Sequence, residues 1–532
     1  MNIAVINTGG TISCVGNPLS PMSAKNFADA CRSLLNPIFK QGLPDLQITY
    51  IEDLLFPESS FGTLDSTNLQ PEDWCLMAGY ILEHYTLYDG WVLLHGTDSM
   101  DFTGTALPFL LSSFDENGTV TGALSKPVII TGSQVPLFYQ NPTTKQLSIN
   151  FNTDAFQNVC GALAAAQTGI PEVGIYFQNN LFRGNRAVKT NASQFNAFSS
   201  PNYPPLGQYG IELALNFETI LPPPVSYAVS LDNPDALARV QNQLKYIQAN
   251  INDFPVMQLN AFPAAYAMSP ATGFLAKLIE SLPALQLKGL ILESYGEGNF
   301  PSGNPDKAPN GSIYQALKKI SSGTDGGIVI VDCTQVVTGI VNDSAYLAGA
   351  WLPEVGALSP ADMTPMAAFA KLMILLTVAD FEENHWKKDT VKRLFQTNLL
   401  GEMLSINKLD SRTDTTLLPG QRIFALDGSA TLTNDATAGP VLRDKGGNTL
   451  WAAFNTAPSA DEMPGRFIMQ TDGNLVFYSR YNHPMWATDT GIPSGAPSVL
   501  ILEGSASDNN ELTLKVYNYA VCSTTVVLYG HR

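Results

Sequence analysis

The sequence predicts an α/β protein of two parallel-sheet domains followed by an all-β domain. Three observations carry this. Through about the first four hundred residues, short Val- and Ile-rich runs alternate with amphipathic segments, the pattern of parallel strands joined by helices. At "NKLDSRTDTTLLPGQ" (Asn407 to Gln421) the chain turns polar and loses periodicity, which reads as a break. Beyond it, helical periodicity disappears, and short alternating runs are separated by Gly, Asn and Asp.

The first strand candidates are "NIAVIN", "WVLLHG", "KPVIITGS" and "EVGIYF". The clearest helix begins in "LQPEDWCLMAGYILEHY". Pro71 suits the first helical position, and Glu72 and Asp73 favour the positive helix end. A proline-rich stretch from Leu221 to Asp235 reads as a connection. A second α/β set follows, with strands in "FPVMQLN", "LKGLILESYG" and "GGIVIVDCT". The expected domains are therefore 1–235, 250–405 and 415–532. The most apolar helix candidate, Met363 to Phe381, is interrupted by Lys371, and its apolar runs are too short to span a bilayer. A buried helix is expected there. In the last region "RDKGGNTLWA", "MQTDGNLVFY" and "SASDNNELTL" each carry an Asn followed two residues later by Leu or Val. That weak repeat predicts three sheets built from one unit.

The chain has 532 residues, of which 14% are charged, and a formal net charge of −18. Such a surface repels phosphate backbones, which excludes nucleic acid as an expected partner. "MNIAVINTGG" lacks a basic n-region and a long apolar run, so no signal peptide is expected. The six cysteines, Cys14, Cys31, Cys75, Cys160, Cys333 and Cys522, are scattered without metal spacing. They read as reduced thiols in a reducing compartment, which points to the cytoplasm.

"INTGGTISCVG" (Ile6 to Gly16) follows the first strand candidate. It lacks a Gly-Lys-Ser/Thr ending and a G-x-G-x-x-G pattern, so neither phosphate-loop signature is present. By itself it reads as a tight turn or as a loop presenting a nucleophile. "WVLLHGTDSMDFTGTAL" then places His95, Thr97 and Asp98 at a strand end before a helix, and "FRGNRAVKTNASQFNAFSSPN" surrounds Lys189.

Together these stretches resemble the L-asparaginase family, and its bacterial type I branch in particular, over about residues 1–405. The resemblance implies that Thr11 is a nucleophile, that Thr97, Asp98 and Lys189 form a second catalytic group, and that Asp65, Ser66 and Thr67 hold the substrate's α-amino and α-carboxylate groups. It implies deamidation of L-asparagine without a cofactor, in a homodimer or homotetramer. The residue types suit the chemistry. A threonine hydroxyl needs a group to take its proton, a lysine held by an aspartate can serve, and backbone N–H groups at strand-to-helix turns can bind an oxyanion. His95 is expected to be structural. Leu19 stands where the family carries a loop tyrosine. Glu293 and Val336 stand where the type I branch can carry the arginine and cysteine of an effector site, so no such activation is expected.

In "RFIMQTDGNLVFYSRYNHPMWATDTG", Gln470, Asp472, Asn474, Val476 and Tyr478 fall at every second residue. On one strand they would share a face, offering polar groups to sugar hydroxyls and one apolar spot to a sugar C–H patch. This resembles the Q-x-D-x-N-x-V-x-Y motif of bulb-type mannose-binding lectins. The resemblance implies a β-prism II domain and a mannose-type glycan as partner. The matching positions of the other copies are Asp444, Gly446, Asn448, Leu450 and Ala452, and Ala506, Asp508, Asn510, Leu512 and Leu514. Both lack the glutamine and the tyrosine, so one working site is expected. The family's disulfide is unmatched at Gly473. A lectin domain also leaves room for release by a non-classical route. The rival expectation is a glycan-binding protein whose amidohydrolase part has become a scaffold.

Overall fold

The computed structural model describes the chain except residues 117, 218, 225, 266–272, 324–326, 342–347, 383, 405, 412–414, 426–428, 507–510, 522 and 531–532. It divides into two compact units, Met1–Phe395 and Gln396–Arg532.

The first unit is built on an eight-stranded sheet. Five strands are parallel and run in the order Gln47–Ile51, Asn2–Asn7, Gly90–Leu94, Val128–Thr131, Val173–Phe177. Antiparallel strands Asn180–Arg183, Gly207–Tyr209 and Leu213–Leu215 extend it. Strand Gly90–Leu94 is buried along its whole length, as a strand covered by helices on both faces must be. The spatial order 2-1-3-4-5 reverses at the first strand. Ligands of open α/β sheets collect at such a switch point, outside the carboxyl ends of the strands. A second, all-parallel sheet runs Val256–Asn260, Gly289–Ser294, Val329–Thr334, Ala357–Leu358.

The helices start where the local chemistry says they should. Gln70 and Asp73 form a capping box before Pro71–Glu83, with Pro71 in the first turn. Thr364 accepts the Ala367 N–H ahead of Pro365–Ala379. That helix is the predicted buried one: Lys371 is fully buried, its ammonium 5.6 Å from the Phe395 ring centroid. Among the described residues no helix is long and apolar enough to cross a membrane. Cys14, Cys31, Cys75, Cys160 and Cys333 are free thiols, and Cys522 lies outside the described residues.

The second unit contains three four-stranded antiparallel sheets among its described residues. Their inner faces meet in one apolar cluster that includes Leu432, Leu442, Phe467, Phe477, Leu500 and Leu514. Two sequence expectations need correction here. The stretch Asn407 to Gln421, read as a break without periodicity, carries two short strands: Lys408–Asp410 pairs with Ser498–Glu503, and Thr416–Leu417 pairs with Arg466–Met469. Gln470, Asp472, Asn474, Val476 and Tyr478 do not share one strand. Only Val476 and Tyr478 lie on strand Leu475–Tyr478. Gln470 to Asn474 form the turn of a hairpin, closed by Gln470 N–H donating to Asn474 O (2.8 Å) and Gly473 N–H to Gln470 O (3.1 Å). Asp472 and Asn474 are turn formers, and the Asp472 Oδ1 accepts the Asn474 N–H at 2.9 Å.

Candidate active site

Strands Asn2–Asn7 and Gly90–Leu94 flank the switch point, and the two threonine motifs leave from their carboxyl ends. Thr11 opens a short 3-10 turn, Thr11–Ser13. Gly10, just before it, has φ +79° and packs against backbone: a Cβ there would lie 2.2 Å from the Gly96 Cα. Gly96 in turn fits under Ser66, whose Oγ would be 2.4 Å from a Cβ at that position. Only glycine permits these approaches. They bring Thr11, Thr97 and the Asp65–Thr67 segment into one place.

The side chains complete the cluster. Lys189 Nζ donates to Thr97 Oγ1 at 2.8 Å and to Asp98 Oδ1 at 2.6 Å. Thr67 Oγ1 donates to Asp98 Oδ2 at 3.2 Å. Ser66 is buried, and its Oγ accepts the Asp98 N–H at 3.3 Å. Asp65 caps its own turn by accepting the Thr67 N–H at 3.0 Å. The Lys189 hydrogen bond holds the Asp98 carboxyl below the usual 3.8. The Asp98 side chain is 61% exposed and that of Lys189 18%, so the pair sits at the mouth of the site rather than under it.

His95 has no access to solvent. Its Nδ1 lies 2.6 Å from Gly96 O and its Nε2 3.0 Å from Thr103 Oγ1. A carbonyl can only accept, so Nδ1 carries the proton and Nε2 accepts from the threonine. Burial pushes the His95 pKa down from 6.5 to about 4. Both ring nitrogens are occupied, as a structural histidine requires. Leu19 lies in the exposed connection between strands Cys14–Val15 and Ser20–Pro21. Gln134 escaped the sequence reading. It follows strand Val128–Thr131 of the same sheet, and its Oε1 is a long 3.5 Å contact of Thr97 Oγ1. The signal was "TGSQ" at a third strand end beside the switch point.

On the second unit, Gln470 Nε2 donates to Tyr478 OH at 2.8 Å. Thr488 Oγ1 donates to Asn474 Oδ1 at 3.1 Å. Val476 is 2% exposed, so it has almost no face to offer a ligand. In the first copy Asn448 Nδ2 donates to Asp444 Oδ2 at 2.9 Å, closing that turn on itself. In the third, Asp508 and Asn510 lie outside the described residues.

Residues 2–220 match the family model described as asparaginase, N-terminal, and residues 269–388 the glutaminase/asparaginase C-terminal domain. The chain is 32% identical over 403 residues to L-asparaginase 1 of Escherichia coli (strain K12), covering 76% of this chain and 98% of that protein. It is 32% identical over 340 residues to the 60 kDa lysophospholipase of Mus musculus, covering 64% of this chain and 49% of that one. The solved structure of L-asparaginase I from Vibrio cholerae superposes with a TM-score of 0.55 at 30% identity, covering 76% of this chain and 99% of that one. With both halves of the first unit matched and nearly the whole Escherichia coli protein covered, this chain belongs to the asparaginase family of amidohydrolases.

Proposed function

We propose that the protein hydrolyses L-asparagine to L-aspartate and ammonia, with Thr11 as nucleophile. The observation that carries this is the Lys189 ammonium bridging Thr97 Oγ1 and Asp98 Oδ1 at the switch point from which Thr11 also leaves. Asp65 pairs with the substrate α-ammonium, and Ser66 and Thr67 hold its α-carboxylate. The Thr11 Oγ attacks the side-chain amide carbon, and its proton passes to the leaving nitrogen, which departs as ammonia. The resulting ester is opened by a water whose proton passes through Thr97 Oγ1 and the Lys189–Asp98 pair to the departing Thr11 Oγ, which frees L-aspartate. Backbone N–H groups at the glycine turns stabilise the oxyanion in both steps. The reading implies no cofactor.

The same reading divides the chain into domains 1–235, 250–405 and 415–532, assembled as a homodimer or homotetramer in the cytoplasm. Incubation of the full chain with L-asparagine tests the activity. Ammonia and L-aspartate should appear in equal amounts, and their absence at saturating substrate would overturn the proposal in favour of the scaffold reading.

A second reading concerns the last domain, a bulb-type lectin-like β-prism that takes a mannose-type glycan. Its support is the Gln470–Tyr478 hydrogen bond, which brings the first and last polar residues of the motif together on one hairpin. Asp472 and Asn474 flank them on the turn. Val476 acts from below, as packing that sets the hairpin rather than as a contact surface. Release by a non-classical route would bring this domain to its glycan.

A further inference from the structure

Lys189 belongs to a strand of two residues, Val188–Lys189, whose ladder is Val188 opposite Ser199 and Lys189 opposite Phe198. So short a ladder fixes a backbone poorly, yet the Lys189 ammonium must meet Thr97 Oγ1 reproducibly. Something else fastens it. The Lys189 N–H donates to Asp101 Oδ2 at 3.2 Å. Asp101 is 3% exposed and stands in the first turn of helix Met100–Leu110, where its Oδ1 accepts the Phe102 N–H at 3.1 Å.

We propose that Asp101 is a positioning residue for the Thr97–Asp98–Lys189 group, its buried carboxylate fixing the Lys189 backbone against the helix that begins beside Thr97 and Asp98. The inference rests on the reading of that group as catalytic. One turn of chain thus holds Lys189 at both ends, with Asp101 on the amide and Asp98 on the ammonium. The two grips differ in strength. Asp98 is largely exposed, and a solvated ion pair contributes little, about 0–1 kcal/mol. The Asp101 bond is shielded from water, where a charged acceptor counts for more. The chain approaching Lys189 is pressed onto the same helix: a Cβ on Gly184 would lie 2.5 Å from Gly104 O. Burial pushes the Asp101 pKa up, and the Lys189 and Phe102 N–H groups oppose that rise. The carboxylate is therefore costly to keep, and the bonds it accepts are what hold it.

Asp101→Ala and Asp101→Asn in the full chain test this by steady-state ammonia release and by hydrogen exchange at the Lys189 amide. Asparagine keeps an oxygen that can accept the Lys189 N–H, and alanine does not. Asp101→Ala should lower kcat about 10- to 100-fold, the cost of a misplaced reacting group. KM should stay within about threefold, and Asp101→Asn should stay within about threefold of wild type in kcat. Exchange at Lys189 should quicken in Asp101→Ala. Wild-type kcat in Asp101→Ala, or an equal loss in Asp101→Asn, would overturn the proposal. If the wild-type protein releases no ammonia, the catalytic reading fails on its own. The exchange measurement then decides for Asp101, against it if Lys189 exchanges equally in both proteins. Should Asp101→Ala not fold, Asp101→Ser, polar but too short to reach the Lys189 amide, takes its place with the same expected loss.

Discussion

Gly10 and Gly96 touch backbone to backbone, with the Gly96 Cα 2.2 Å from where a Gly10 Cβ would sit. Thr11 and Thr97 are the next residues along each strand end, so this contact sets the gap between the proposed nucleophile and the proposed second group. Gly10→Ala puts a methyl into that contact and an alanine at φ +79°. It should cost about 1–3 kcal/mol of stability and most of the activity, read by thermal melting and ammonia release. A variant that melts and turns over like wild type would mean the loops can part without consequence.

His95 predicts acid sensitivity. Its folded-state pKa of about 4 lies below its ordinary 6.5, so as pH falls the unfolded chain takes up the proton first. The contribution is therefore intact above about pH 6.5 and lost progressively toward pH 4. The loss is on the order of 3 kcal/mol. His95→Gln should flatten the fall in melting temperature over that window. An identical slope in both proteins would assign the acid sensitivity to other groups.

Leu19 tests what the first loop lacks. A tyrosine there would restore a hydroxyl that can reach Thr11 when the loop closes. Leu19→Tyr should raise kcat roughly fivefold, the worth of one net hydrogen bond of about 1 kcal/mol. No change would show that another group already fills the role.

The proposed sugar site predicts a separation of functions. Asp472→Ala combined with Asn474→Ala should abolish retention on a mannan column and leave ammonia release intact. A single shallow site implies weak binding, roughly millimolar, with avidity supplied by assembly. Equal retention of the double variant, or no retention of wild type, removes the lectin reading.

The parallel strands were legible because each is a local apolar run: "WVLLHG" covers all but the first residue of the buried strand Gly90–Leu94, and Pro71 marks a helix start. The short strands between Asn407 and Gln421 were not, because they exist through distant partners. Lys408 pairs with Ile501, and nothing nearby in sequence announces it. The alternation from Gln470 to Tyr478 misled for a related reason. A two-residue period is shared by a strand and by a turn rich in Asp, Gly and Asn, and here turn chemistry prevailed over the first half. In the candidate site, Thr97, Asp98 and Lys189 could be read from their motifs. Asp101 could not, because a carboxylate one helical turn past Asp98 looks like ordinary N-terminal helix charge until burial and the Lys189 amide are seen.

The proposed mechanism stands on the covalent bond formed by Thr11. Steady-state ammonia release from L-asparagine by Thr11→Ala, beside wild type, measures it most directly. Thr11→Ala should lose about a thousandfold or more in kcat, with the fold and the melting temperature retained. A Thr11→Ala protein that releases ammonia at the wild-type rate would contradict the mechanism and place the nucleophile elsewhere.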